Sequence, residues 1–298
     1  MPAVSPALAI LRTVRPKQWV KNVFTLAALV FSKHLLDQTY ALRALAAFAV
    51  FCALSGAVYA FNDLRDVESD RRHPTKRNRP IAAGDLSERA ALYYSLVSAT
   101  LALAAAYVLS PWLALVAGGY LVNNLAYSLF LKRIAYLDVF MIAGGFLLRV
   151  LAGGFAIDVP VSAWLLACTA LLACFLGFGK RAHELQQAIR QDRPPRETRE
   201  ALGGYNLSTL RFALTVLSIG TCATYALYTR DARTVEAFHT DQLLWTLPFC
   251  VIGIARFLQI TLWMQIEESP TDAILHDWPF LTNLLAWTVA VITIIYLL

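Results

Sequence analysis

The residues most suited to chemistry lie together in Tyr59-Ala60-Phe61-Asn62-Asp63-Leu64-Arg65-Asp66-Val67-Glu68-Ser69-Asp70. Asp63, Asp66 and Asp70 are spaced by three and four residues, which places their carboxylates on one helical face, and Asn62 stands one turn before Asp66. Like charges at this spacing repel unless a cation sits among them. Carboxylates and an amide oxygen are hard donors that suit Mg2+, an ion that keeps several waters and binds through one or two carboxylates plus substrate phosphates. Glu68 falls off this face and reads as surface. Directly downstream comes Arg71-Arg72-His73-Pro74-Thr75-Lys76-Arg77-Asn78-Arg79-Pro80-Ile81-Ala82-Ala83-Gly84, in which two prolines and a glycine shape a loop. Acids for a metal followed by bases for phosphate oxygens describe a diphosphate site. His73 reads as loop structure.

The elements that position these groups are membrane helices. Of 298 residues, 58% are hydrophobic and 15% charged, against about half apolar and a quarter charged in a soluble domain, which excludes a water-soluble fold. The expected architecture is all-α and polytopic, a single integral membrane domain over residues 1–298. A span needs about 20 apolar residues, and nine segments qualify, at 20–36, 41–61, 90–109, 112–131, 135–156, 161–179, 207–228, 242–264 and 280–298. Placed on this scheme, 20 of the 26 Lys and Arg fall on the side of the N-terminus, which predicts N-terminus cytoplasmic and C-terminus outside. The net charge of +6 therefore reports topology, and no nucleic-acid partner is expected. The two long basic loops, 62–89 and 180–206, share the cytoplasmic face and are expected to cap the site. Acids at a membrane edge are costly and point to function, so the acidic stretch reads as a site rather than as a solvated helix end. The five cysteines form no CxxC pair and read as packing residues.

Further polar residues interrupt the apolar runs. Arg15, Lys17 and Lys21 surround Trp19, the pattern of interfacial anchoring. Asn123-Asn124-Leu125-Ala126-Tyr127 leads to Lys132, so Asn124 and Tyr127 form a polar stripe ending in a cation. Asp138 and Arg149 lie eleven residues apart on one predicted helix, about 16 Å along the axis and too far for a direct ion pair. A buried arginine so placed calls either for a substrate phosphate or for a partner on another helix. Lys180, Arg181 and Glu184 open the second long loop, where topology and an i,i+4 pair account for them. Arg256, within a span, has the same ambiguity as Arg149 and is left unassigned, and Glu267–Asp277 reads as a solvated loop.

Asn62-Asp63-x-x-Asp66-x-x-x-Asp70 resembles the first aspartate-rich motif of the UbiA-type membrane prenyltransferase superfamily. The longer string through Gly84, with RPKQWVKN (Arg15–Asn22), YSLFLK (Tyr127–Lys132), LLRVLAGG (Leu147–Gly154) and GKRAHEL (Gly179–Leu185), looks like its decaprenyl-phosphate phosphoribosyltransferase branch. The resemblance covers nearly the whole chain. It implies nine helices around a central cavity open to the cytoplasm, in a bacterial-type inner membrane. It also implies transfer of 5-phosphoribose from 5-phospho-α-D-ribose 1-diphosphate to a polyprenyl phosphate, for cell-envelope polysaccharide precursors. Mg2+ would be the cofactor, on Asn62 and Asp66, with Asp63, Asp66 and Asp70 as the catalytic acids. Lys21, Tyr59, Lys76, Arg77, Asn124, Tyr127, Lys132, Arg149, Lys180 and Arg181 would bind the two substrates. The aromatic-prenylating members look to carry a second DxxxD motif where this chain has Asp138 but Ile142, which points to one dominant metal site. The alternative reading is prenyl transfer from a prenyl diphosphate to an aromatic acceptor, and a third is a non-catalytic transporter or lipid scaffold.

Overall fold

A computed structural model describes residues 5–264 and 266–298, and among the described residues there is helix and no strand. The long helices are α1 (Gln38–Arg65), α2 (Glu88–Leu109), α3 (Pro111–Leu129), α4 (Leu137–Ile157), α5 (Ala163–Arg190), α6 (Leu207–Arg230), α7 (Leu247–Leu262) and α8 (Trp278–Tyr296). Several starts are fixed by a side chain accepting the unpaired backbone N–H groups of the first turn, as Asp37 does for α1, Ser87 for α2, Ser162 for α5, Asn206 for α6 and Asp277 for α8.

Among the described residues, seven helical segments are long and apolar enough to cross a membrane, namely α1, α2, α4, α5, α6, Gln242–Leu262 and α8. The other two expected spans take different forms. Segment 112–131 is the 19-residue α3, whose Asn123, Asn124 and glycine pair dilute its hydropathy. Segment 20–36 is a 3-10 run, Pro16–Leu26, leading into the five-residue helix Ala27–Phe31. Three residues per turn put residues 22 and 25 on one line, and Asn22 and Thr25 are both buried.

Both long loops prove largely helical. α1 and α5 have 28 residues each, about 42 Å at 1.5 Å per residue, against a hydrocarbon core of about 30 Å. Their ends therefore project beyond the apolar layer, and the region expected to be loop from 180 onward continues as helix to Arg190. After α1 the chain turns through short helices Val67–Arg72, Lys76–Asn78 and Pro80–Ala83, the last closed by Gly84 at φ 84°, a left-handed position that suits glycine.

The chain forms two compact units. One is Met1–Ser128 with Leu148–Val161, the other Leu129–Leu147 with Ser162–Leu298. The core of the first gathers Phe51, Leu54, Leu113, Val116, Tyr120 and Ala152 from α1, α3 and α4. Here Arg43 donates to the carbonyls of Leu109 (3.0 Å) and Ala156 (2.6 Å), capping the negative ends of α2 and α4 with one guanidinium. An apolar cleft of about 970 Å3 runs along α1 and α2, lined by residues such as Ala49, Ala53, Tyr94 and Val97, and none of the acidic residues borders it. The second unit packs around Phe175, Phe178, Leu210, Leu214 and Phe257.

At Gly153 a Cβ would stand 1.9 Å from the Thr25 carbonyl oxygen, so the 3-10 segment seats directly on α4. Gly153→Ala is expected to cost about 1–3 kcal/mol through overpacking, read as a lowered thermal midpoint of the detergent-solubilised protein. An unchanged midpoint would mean that the segment is free to shift.

Candidate functional site

The acidic face forms at the end of α1. Asp66 caps α1 with its N–H bonded to the Asn62 carbonyl (3.0 Å), and the Asp70 N–H bonds onward to Asp66 (2.8 Å). The helical register thus runs through the junction, and the expected shared face is kept. Asp63 and Asp70 are buried, and Asp66 is half-buried. The cation required among like charges is an arginine. Arg79 Nη1 lies 2.9 Å from Asp63 and 2.7 Å from Asp70, and Arg15 Nη2 lies 2.5 Å from Asp63. Arg15 takes a left-handed backbone at φ 53° between the N-terminal helix Pro6–Thr13 and the 3-10 run. Its guanidinium also covers the Tyr59 ring, 5.1 Å from the centroid. Arg79 is held extended (φ −66°, ψ 142°) before Pro80, as a residue preceding proline prefers.

Asn62 Oδ1 is enclosed and accepts no hydrogen bond. An orphaned buried oxygen is costly, and one turn from a carboxylate it is a suitable donor for a hard cation. No group of three or more His, Cys, Asp or Glu able to hold a metal occurs among the described residues, so the fit is to an ion completed by water and phosphate. Lys76 and Arg77 are exposed in the short helix Lys76–Asn78. His73 accepts at Nδ1 from the backbone N–H groups of Thr75 and Lys76, both at 3.3 Å, and so shapes this turn.

Deeper along α1, Asn22 donates to Ser55 Oγ (3.2 Å) and Cys52 Sγ (3.3 Å) and accepts from Arg149 Nε (2.8 Å). Arg149 is buried, donates to the Tyr120 hydroxyl (2.8 Å) and stacks on that ring at 4.6 Å. Asn124 turns its amide back to the Tyr120 carbonyl (2.8 Å), and Tyr120, Asn124 and Tyr127 share a face of α3 at helical spacing. Cys52, Ser55, Tyr59, Asn62 and Asp66 likewise share a face of α1. Lys21 sits half-buried in the 3-10 run that carries Asn22.

In the second unit, Lys132 lies half-buried in the turn Leu131–Arg133, and Lys180 is half-buried on α5. Arg181 is 1% exposed and belongs to an internal network rather than to a surface. It pairs with Asp138 at 2.9 Å, close in distance but off the N–H axis, and with Glu184. Tyr205 donates to Asp138 (2.5 Å) and accepts from the Tyr136 N–H (2.8 Å). Burial first, and then the bond to the Asp138 carboxylate, hold the Tyr205 phenol well above its usual pKa. It therefore stays a neutral donor. Arg256 forms a two-pronged pair with Asp277 (3.1 and 2.7 Å), which holds the Asp277 carboxyl below its ordinary range.

Sequence reasoning named the acids but missed the arginines that answer them, Arg15 and Arg79, as well as Tyr120, Asn22 and Tyr205. The repulsion of three acids on one face was the available signal for a cation, and RP at Arg79-Pro80 marked the one fixed in extended backbone.

An all-helical membrane chain with hard oxygen donors and flanking guanidiniums at one helix end defines a class. A sequence profile of the UbiA prenyltransferase family matches residues 22–264, and the chain belongs to that family. The decaprenyl-phosphate phosphoribosyltransferase of Mycolicibacterium smegmatis is 37% identical over 292 residues, covering 93% of this chain and 89% of that protein. Its counterpart from Mycobacterium tuberculosis is 35% identical over 296 residues, covering 97% and 95%. A UbiA homologue from Archaeoglobus fulgidus, solved with DMAPP and Mg2+, superimposes with a TM-score of 0.71 at 19% identity, covering 97% of this chain and 99% of that one. This last likeness is one of fold.

Removing one member of a buried ion pair strands its partner, at a cost of about 3–5 kcal/mol. Arg181→Met is expected to lower the thermal midpoint more than the double change Asp138→Leu with Arg181→Met, which leaves no uncompensated charge between them. Equal losses would show that Asp138 left without Arg181 carries no penalty of its own.

Proposed function

We propose that this membrane enzyme transfers 5-phosphoribose from 5-phospho-α-D-ribose 1-diphosphate to a polyprenyl phosphate, releasing diphosphate. The observation that carries the site assignment is the unpartnered Asn62 Oδ1 one turn from Asp66, beside acids already matched by arginines. The near full-length identity to two phosphoribosyltransferases supports the choice of reaction.

In this reading Asn62 and Asp66 hold a Mg2+. That ion supplies charge neutralisation for the departing diphosphate. Asp63 and Asp70 shape the acidic face, fixed by Arg15 and Arg79. Lys76 and Arg77, exposed beside that face, take phosphate oxygens of the donor. Lys21, Tyr59, Asn124, Tyr127 and Arg149 line the inward polar faces of the first unit and orient the substrates. Arg149 brings a buried guanidinium to that face, where Asn22 and Tyr120 help to orient it.

The acceptor phosphate is an anion at neutral pH, so no proton has to move. Its oxygen forms a bond to the anomeric carbon as the bond from that carbon to diphosphate breaks, the electron pair leaving with diphosphate. In-line attack inverts the α donor to a β-linked lipid product. The commitment of His73 to its turn agrees with a reaction without a general base. Catalysis then rests on positioning and on electrostatic stabilisation of the leaving group.

We also assign the chain to a bacterial-type inner membrane, N-terminus cytoplasmic, with the end of α1 on that side and the product serving cell-envelope polysaccharide assembly.

Purified protein in liposomes with Mg2+, polyprenyl phosphate and labelled phosphoribosyl diphosphate is expected to form a labelled lipid. Asp66→Ala is expected to lower kcat/KM by roughly 100-fold or more while membrane insertion is unchanged. Activity only with a prenyl diphosphate and an aromatic acid would replace this reading with prenyl transfer, and no turnover with either pair would favour a non-catalytic role.

A further inference from the structure

Arg79 Nη1 touches both Asp63 and Asp70, at 2.9 and 2.7 Å, so its positive charge stands in the middle of the acidic face. A divalent cation approaching that face meets like charge there. The two acids are 3% exposed, whereas the Arg79 side chain is 27% exposed. The acids are thus enclosed, and the guanidinium sits at the boundary where it can change partners. A diphosphate offers a guanidinium planar, two-pronged acceptors at least as good as a carboxylate. The backbone at residue 79 is restricted by Pro80, so such an exchange is a side-chain rotation and leaves the turn intact. The buried pair of the second unit lacks this latitude, since Arg181 is 1% exposed.

We infer that Arg79 is a positioning residue that exchanges between the Asp63/Asp70 carboxylates and the substrate diphosphate, so that metal and diphosphate bind together rather than separately. The diphosphate draws the guanidinium off the acids, and the freed negative charge favours the ion. By reciprocity, the ion raises affinity for diphosphate by the same factor.

This inference rests on the metal–diphosphate reading given above, and the experiment separates the two. Mn2+ binding is followed by the electron paramagnetic resonance signal of the free ion, with and without inorganic diphosphate, after correction for the complex those two form in solution. Wild-type protein is expected to bind Mn2+ about 10-fold tighter when diphosphate is present. Arg79→Gln is expected to bind Mn2+ alone about 10-fold tighter than wild type and to lose most of the enhancement by diphosphate. Arg79→Lys, which keeps a cation, is expected to keep the enhancement. A side chain that only stabilised the loop would give weaker Mn2+ binding in Arg79→Gln, and that result overturns the exchange, as does an enhancement equal in wild type and Arg79→Gln. If Arg79→Gln does not fold, the wild type alone decides, since Mn2+ affinity indifferent to diphosphate also overturns it. Failure of wild type to bind Mn2+ under either condition would instead overturn the metal reading beneath it.

Discussion

Two enclosed carboxylates at the end of a membrane helix set the terms for everything around them. Asp63 and Asp70 are each 3% exposed, and ionised acids removed from water persist only when matched by cations in good geometry. Arg15 and Arg79 supply the match. Arg15 does so from a left-handed backbone position, a conformation that costs an L-residue roughly 1–2 kcal/mol and that turns the chain from the N-terminal helix into the 3-10 run. That run in turn seats Asn22 against Ser55 and Arg149. Arg79 does so from the turn fixed by Pro80. The N-terminal segment, the polar seam of the first unit and the loop after α1 are therefore tied to one electrostatic requirement.

The second unit solves the same problem differently. Asp138 and Arg181 are both fully enclosed, and Glu184 and Tyr205 complete the network. A network of this kind fixes structure, because its central pair, Asp138 and Arg181, is shut off from solvent and held by Glu184 and Tyr205. The arginines of the acidic face are 31% and 27% exposed, which leaves them within reach of a charged ligand. The contrast in exposure, more than any difference in residue type, separates a structural ion network from a site able to exchange partners.

Much of this was legible in the sequence where the signal is local. Long apolar runs marked most of the helices, and spacings of three and four marked the shared face of Asn62, Asp63, Asp66 and Asp70. What was hidden is long-range or depends on helix type. Nothing in spacing joins Arg181 to Asp138, 43 positions away, so Arg181 was read as a substrate cation on resemblance alone. Pro80 marks the backbone at Arg79 as extended, but nothing local shows that Arg79 rather than Lys76 or Arg77 is brought back to Asp63. Hydropathy marked 20–36 as a span, although the buried residues of its 3-10 run, Asn22 and Thr25, stand three positions apart. The boundary of α5 was missed because a helix leaving the hydrocarbon layer becomes polar without ceasing to be helical.

Asn62 and Asp66 are proposed as the residues that would hold a divalent ion at the end of α1, where it would neutralise charge on the donor diphosphate. The most direct test of this assignment is the 31P hyperfine coupling of Mn2+ bound to the protein with phosphoribosyl diphosphate, measured by pulsed electron–nuclear double resonance in wild type and in Asp66→Ala. Coupling from a directly ligated phosphate in wild type, with the protein-bound signal lost in Asp66→Ala, is the predicted result. The same bound signal in both proteins would place the metal elsewhere and contradict the account.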